Sequence, residues 1–149
     1  MQHAEILAQK GELLLLDQQW TDAVSLNKKA LTTLNEHGNI VATIIRLRAL
    51  CGTALAAQQT SDHVATQTAL SHLFSEIPVD LTDKNIIRFL PPYFAHCLML
   101  QADALLAENN SDELAIHHHL GATVLNVLQD IRPLSLAEQR IHRYFQNQL

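Results

Sequence analysis

Apolar residues recur along this chain at intervals of three and four, the spacing that places them on one face of a helix. Over residues 3 to 17, Ile6, Leu7, Leu13, Leu14 and Leu16 mark a first helix. A short polar break around DQQW follows. From 20 to 37, Trp20, Ala23, Val24, Leu26, Ala30, Leu31 and Leu34 form a broader stripe that Gly38 ends, so the two stretches make an antiparallel pair. Residues 39 to 58 and 61 to 76 repeat the plan, with Thr60 or Ser61 capping the second helix and Pro78 closing it. The run IVATIIRLRALCGTALAA is apolar nearly all round apart from Arg46 and Arg48, which predicts a central helix covered on several sides.

Between Ile77 and Leu90 the pattern is least regular, although LTDKNIIRFL suits one short helix. Pro91 and Pro92 then fit the first turn of the next element, where a missing amide proton costs little. Residues 92 to 108 and 111 to 129 make a third pair joined by AENNSDE, with Asn110 and Glu113 at the spacing of a capping box. Ser135 and Glu138 fit the S-x-x-E pattern after Pro133 and open a last helix, 135 to 147. Its face of Leu136, Ile141, Tyr144 and Phe145 reads as a lid on the third pair. The expectation is one all-α domain over 1-149, with about three helix pairs (3-37, 39-76, 92-129) and a C-terminal cap.

Composition agrees with that reading. Apolar residues make up 48% and aromatics only 5%, with Leu and Ala abundant, which favours a helical core over a sheet. Four Gly and four Pro leave little room for disorder or Gly-rich loops. A formal charge of −5, with ten scattered Lys and Arg, argues against a general binder of nucleic acid. The N-terminal run MQHAEILAQKGELLLLDQQW has no basic leader, and its apolar part is too short for a secretory signal or membrane span. A cytoplasmic protein without membrane contact is expected. Cys51 and Cys97 have no metal-like spacing and read as reduced core thiols.

Two stretches, TDAVSLNKKALTTL and DELAIHHHLGATVL, each carry alanines seven residues apart, which pairs Ala23 and Ala30 with Ala115 and Ala122. Small residues at such points let neighbouring helices approach closely. The middle pair offers Ala65 without a second alanine at the same interval. In the first pair, Leu7, Gly11, Leu14, Trp20, Asp22, Ala23, Lys29, Ala30 and Leu31 stand in the order and spacing of a known motif. The chain resembles the tetratricopeptide repeat family, strongly over about the first 35 residues and more weakly to residue 129. The linker LNEHGNIVAT looks like the longer kind found in bacterial regulators and signalling scaffolds. The steps from Ala23 to Ala65 to Ala115 are longer than the usual period of about 34 residues.

The resemblance implies stacked antiparallel pairs in a right-handed superhelix, whose first helices line a groove for a peptide, a helix or another protein. Transferred to this chain, the pattern puts Glu5, Ala8, Glu12 and Leu15 on the groove, joined by Arg46, Arg48, Leu100, Ala104 and Glu108. The bland reading of the Leu and Ala members is ordinary core. Family precedent also includes homo-oligomers formed through end helices.

Candidate chemistry centres on His117, His118 and His119. Successive residues differ by about 100° around a helix, so the outer two point about 200° apart and cannot close on one ion. Glu113 and His117, four apart, could meet, but they make an incomplete zinc shell. Alignment on the alanines directs His117 and His118 toward solvent or a neighbouring pair, and sets His119 at the place of Asn27, nearer the packed seam. Nine histidines would change the net charge in mild acid, although composition alone makes no switch. No phosphate-binding Gly-rich loop and no activated nucleophile are evident. No metal, cofactor or catalytic residue is assigned. The expected function is a non-enzymatic interaction module: an adaptor, chaperone or regulatory subunit holding a protein or peptide partner. The alternatives are a homodimeric scaffold paired through its apolar last or central helix, and a metal-dependent enzyme using the histidine-rich third pair.

Overall fold

The computed structural model describes residues 2–34 and 39–149, and every described element is an α-helix. In chain order these are α1 (Gln2–Leu16), α2 (Trp20–Thr33), α3 (Ile40–Gln59), α4 (His63–Glu76), α5 (Lys84–Ile87), α6 (Phe94–Ala107), α7 (Ser111–Ile131) and α8 (Leu136–Asn147). The end expected for the second helix at Gly38 lies outside the described residues. The chain divides into two compact units, residues 1–76 and 77–149.

Three helix pairs close through one turn. Gln18, Ser61 and Asn109 each take a left-handed conformation, with φ of 60°, 58° and 55°. The next amide reaches back to the preceding helix, Gln19 to the Leu14 carbonyl at 2.8 Å, Asp62 to Ala57 at 3.0 Å and Asn110 to Leu105 at 3.0 Å. This is the helix-ending bond that satisfies otherwise orphaned carbonyls. The same residue then starts the following helix, since its own carbonyl accepts from Ala23, Thr66 or Leu114. Cap assignments shift accordingly. Thr60 closes α3 and Ser61 makes the turn, so the cap of α4 is Asp62, whose Oδ1 accepts from the Ala65 amide at 3.0 Å. Asn39 and Asn110 cap α3 and α7.

Counting from the left-handed residue also aligns the seams. Ala23, Asn27 and Ala30 of α2 are buried, and so are Thr66, Leu70 and Leu73 at the same places in α4. Thr66, not Ala65, therefore corresponds to Ala23. In α7 the corresponding residues are Leu114, His118 and Gly121, one position before the alanine-based alignment. Ala115 is exposed, whereas Ala122 is buried.

In the first unit, α1 and α2 pack on each other and both pack on α3, which also carries α4. Small residues permit this: Gly11 lies so close to Asn27 that a Cβ there would collide with the Asn27 side chain. Ala4, Ala8, Ala30, Leu34, Ala42 and Ile45 form a continuous core across the three helices. The apolar α3 is long enough by composition to cross a membrane, yet 61% of its most apolar stretch is buried within the fold. Two ion pairs fasten it, Arg46 Nε to Glu76 Oε2 at 2.7 Å and Arg48 to both oxygens of Glu12 at 2.7 and 3.0 Å.

The second unit repeats the three-helix contact, since α8 packs on both α6 and α7, and α5 adds a short cover over α7. The S-x-x-E signal is realised in full. Glu138 N–H donates to Ser135 Oγ at 3.1 Å, Ser135 N–H donates to Glu138 Oε1 at 2.8 Å, and Arg132 grips both oxygens of the same carboxylate at 2.8 Å. The guanidinium, together with the Ser135 amide, holds the Glu138 carboxyl below its usual range despite burial.

Candidate functional site

The residues assigned to a groove by resemblance occupy different environments. Ala8 and Leu15 are each 5% exposed and belong to the core, because α1 turns their face toward α2 and α3. Glu12, Arg46 and Arg48 are half-buried and engaged in the ion pairs that fasten α3. Leu100 and Ala104 are half-buried on α6, while Glu5 and Glu108 are exposed. The first unit thus holds Glu5, Ala8, Glu12, Leu15, Arg46 and Arg48, and the second holds Leu100, Ala104 and Glu108.

A different face of α1 is open and apolar. Ile6, Leu13 and Leu16 are 44%, 64% and 81% exposed. At 100° per residue they fall within an arc of about 80°, on nearly the opposite side from buried Ala4, Ala8, Gly11 and Leu15. The helix therefore has two apolar faces, one of them spent on the core. Exposed Gln9 lies within this arc, between Ile6 and Leu13 along the helix, and Lys10 borders it. By periodicity alone the two faces merge into a single mixed stripe, and the small residues Ala4, Ala8 and Gly11 are the signal that separates them.

The histidine run lies otherwise than expected. His117 and His118 are buried at 5% and 9% exposure, and His119 is exposed. The correction follows from the one-residue offset, which rotates α7 by about 100° relative to the alanine alignment. With α5, α6 and α8 all packed on α7, its covered arc is wide enough for two successive residues. His117 donates its Nε2–H to the Leu98 carbonyl of α6 at 2.8 Å, which fixes the neutral tautomer because a carbonyl only accepts. His118 Nε2 is 3.1 Å from the Tyr144 hydroxyl of α8. Both rings meet fully buried Phe145 edge-on, at 5.8 and 5.9 Å between centroids, and His118 meets Tyr144 likewise at 5.6 Å. Beside them Gly121 leaves room for the Phe145 ring.

Farther along α8, His142 donates to Asn126 Oδ1 at 2.6 Å, and Gln146 donates to the same oxygen at 3.2 Å. Burial pushes the His117 ring below its ordinary value; the Leu98 carbonyl works against that shift and His118 adds to it. Burial likewise lowers His118 and His142. It raises the Tyr144 hydroxyl, helped by the negative charge of Asp103. Tyr144 and Phe145 were legible as an adhesive face, but their histidine partners were hidden by the offset. His142 and Asn126 carried no motif.

These imidazoles serve packing geometry. Glu113 is exposed while His117 spends Nε2 on a carbonyl, so the pair does not form a metal-binding edge. Among the described residues, no group of three or more His, Cys, Asp or Glu side chains is placed to hold a metal ion. Cys51 and Cys97 are both buried. No protein-family model, no curated protein and no solved structure matches this chain.

Proposed function

We propose that this chain is a non-catalytic protein-interaction module, of the adaptor, chaperone or regulatory-subunit kind, built from helix pairs of tetratricopeptide type. The observation that carries the reading is the open row of Ile6, Leu13 and Leu16 on α1. Fully covering a Leu or Ile side chain is worth about 1.5–3 kcal/mol, so a partner that seats on this row gains a substantial part of a specific affinity. Exposed apolar side chains gathered on one helix face, with Leu13 and Leu16 adjacent at a three-residue spacing, are a candidate interaction surface. The shared turn at Gln18, Ser61 and Asn109 and the small-residue seam around Gly11, Ala23 and Ala30 support the repeat assignment.

The apolar surfaces that suggested pairing with a second copy are largely occupied within the chain: α3 packs on α1, α2 and α4, and α8 has its Phe145 buried on α7. Leu136 remains exposed on α8.

The test compares the wild-type chain with a Leu13→Glu/Leu16→Glu variant as baits in native extract, after circular dichroism shows equal helix content. The expected result is one protein captured in near-stoichiometric amount by the wild type and lost by the variant. Equal capture by both would overturn the assignment of the row. Light scattering on the same samples shows whether the bound protein is a second copy of this chain.

A further inference from the structure

The last helix is fastened by contacts that suit neutral imidazoles. Phe145, fully buried, lies against both His117 and His118, while Tyr144 takes the ring edge and the hydrogen bond of His118. His117 also ties α7 to α6 through Leu98. A charge placed on either ring loses its hydration among aromatic neighbours, and charging both sets two cations on adjacent residues.

The charges on the packed elements are of both signs. On α7, Glu113 stands exposed one turn before His117. On α6 the titratable groups are His96, Cys97 and Asp103, and the field of Asp103 bears on Tyr144. On α8, Glu138 is gripped by Arg132, His142 is bound to Asn126, and Arg140 and Arg143 are exposed cations. On α5, Lys84 and Arg88 are exposed cations as well. One nearby charge that acts on His117 is His118, a like charge once both are protonated.

We propose that His117 and His118 form an acid-sensitive latch: neutral, they seat Tyr144 and Phe145 against α7; protonated in mild acid, they release α8 and uncover the faces of α6 and α7 beneath it. Where docking of α8 holds a ring neutral and release frees it to titrate at about 6.5, docking weakens by at most about tenfold per ring at about pH 5.5, and His118, which contacts Tyr144 of α8, carries more of the effect than His117, which stays bonded to Leu98. Two rings compound the effect.

Hydrogen exchange of the full chain at about pH 7.5 and about pH 5.5, corrected for intrinsic exchange, reads the latch directly. Amides of 136–147 are expected to lose protection severalfold, up to about tenfold per ring, at the lower pH, with a smaller change in 40–59. In the His117→Gln/His118→Gln variant the loss in 136–147 should shrink to about twofold or less. Unchanged protection of 136–147 in the wild type, or an equal loss in the variant, would overturn the proposal. Should the variant fail to fold, an NMR titration of the wild type decides. Amide shifts of α8 following the ring titrations of His117 and His118 support the latch, and a different midpoint refutes it.

Discussion

Gly121 shows how narrowly single positions are constrained. A Cβ there would lie 2.6–2.7 Å from three carbons of the Phe145 ring, and that ring is fully buried and cannot swing aside. Replacing glycine inside a helix by alanine ordinarily gains about 1 kcal/mol, so a destabilised Gly121→Ala protein would isolate the packing conflict. Overpacking costs about 1–3 kcal/mol, and the expected net is a loss in urea denaturation. The same logic separates the alanines. Ala23→Leu and Ala30→Leu should each cost about 1–3 kcal/mol because both sites are fully buried, whereas exposed Ala115→Leu should change stability by about 0.5 kcal/mol or less. His119→Gln should likewise be silent, unlike substitution of His117, whose ring bridges to α6.

This is also where the sequence misled. Alanine is common enough in helices that one of a pair seven residues apart can lie on the surface, as Ala115 does, while the seam position lies one residue before buried Ala122, at Gly121.

Among the helices, ends were legible wherever side-chain chemistry announces them. Ser135 and Glu138 form the capping box that their spacing implies, and Asn110 accepts from the Glu113 amide. The hairpin turns were less visible, because Gln18 and Ser61 adopt the left-handed conformation usually left to Gly or Asn. DQQW and QQTSD mark breaks but hold no Gly or Asn that singles out the turning residue, and Asp62, not Thr60 or Ser61, is the cap. For α8 the expectation is concrete: Ser135→Ala should cost about 1 kcal/mol, since it removes one partner of the box and loosens the carboxylate that Arg132 holds. The Glu138 carboxyl has a lowered folded-state pKa, led by the Arg132 hydrogen bonds, so its contribution is fully present above the ordinary carboxylate value. It fades as pH falls below that value, and Glu138→Gln should flatten the acid limb of a stability-against-pH curve.

At the scale of the whole molecule, the histidine rings among the described residues that burial shifts, His117, His118 and His142, fall in residues 77–149. A histidine with a lowered folded-state pKa binds protons more readily when unfolded. Its stabilising share is therefore complete above about pH 6.5 and declines as pH drops below that. Thermal melts from about pH 7.5 to 5.5 should show residues 77–149 losing stability ahead of residues 1–76. The all-helical class and the pairing of helices were readable from periodicity and composition. The open face of α1 was not, because leucines on both sides of one helix give no clean period.

That face invites the decisive measurement. A photo-crosslinking residue placed at 13 on the open row, and in a second preparation at exposed position 119 on α7, is irradiated in the native cell. One dominant protein adduct of defined mass at position 13, absent at 119, is the expected outcome. Identical adduct patterns at the two positions would contradict a docking role for Ile6, Leu13 and Leu16.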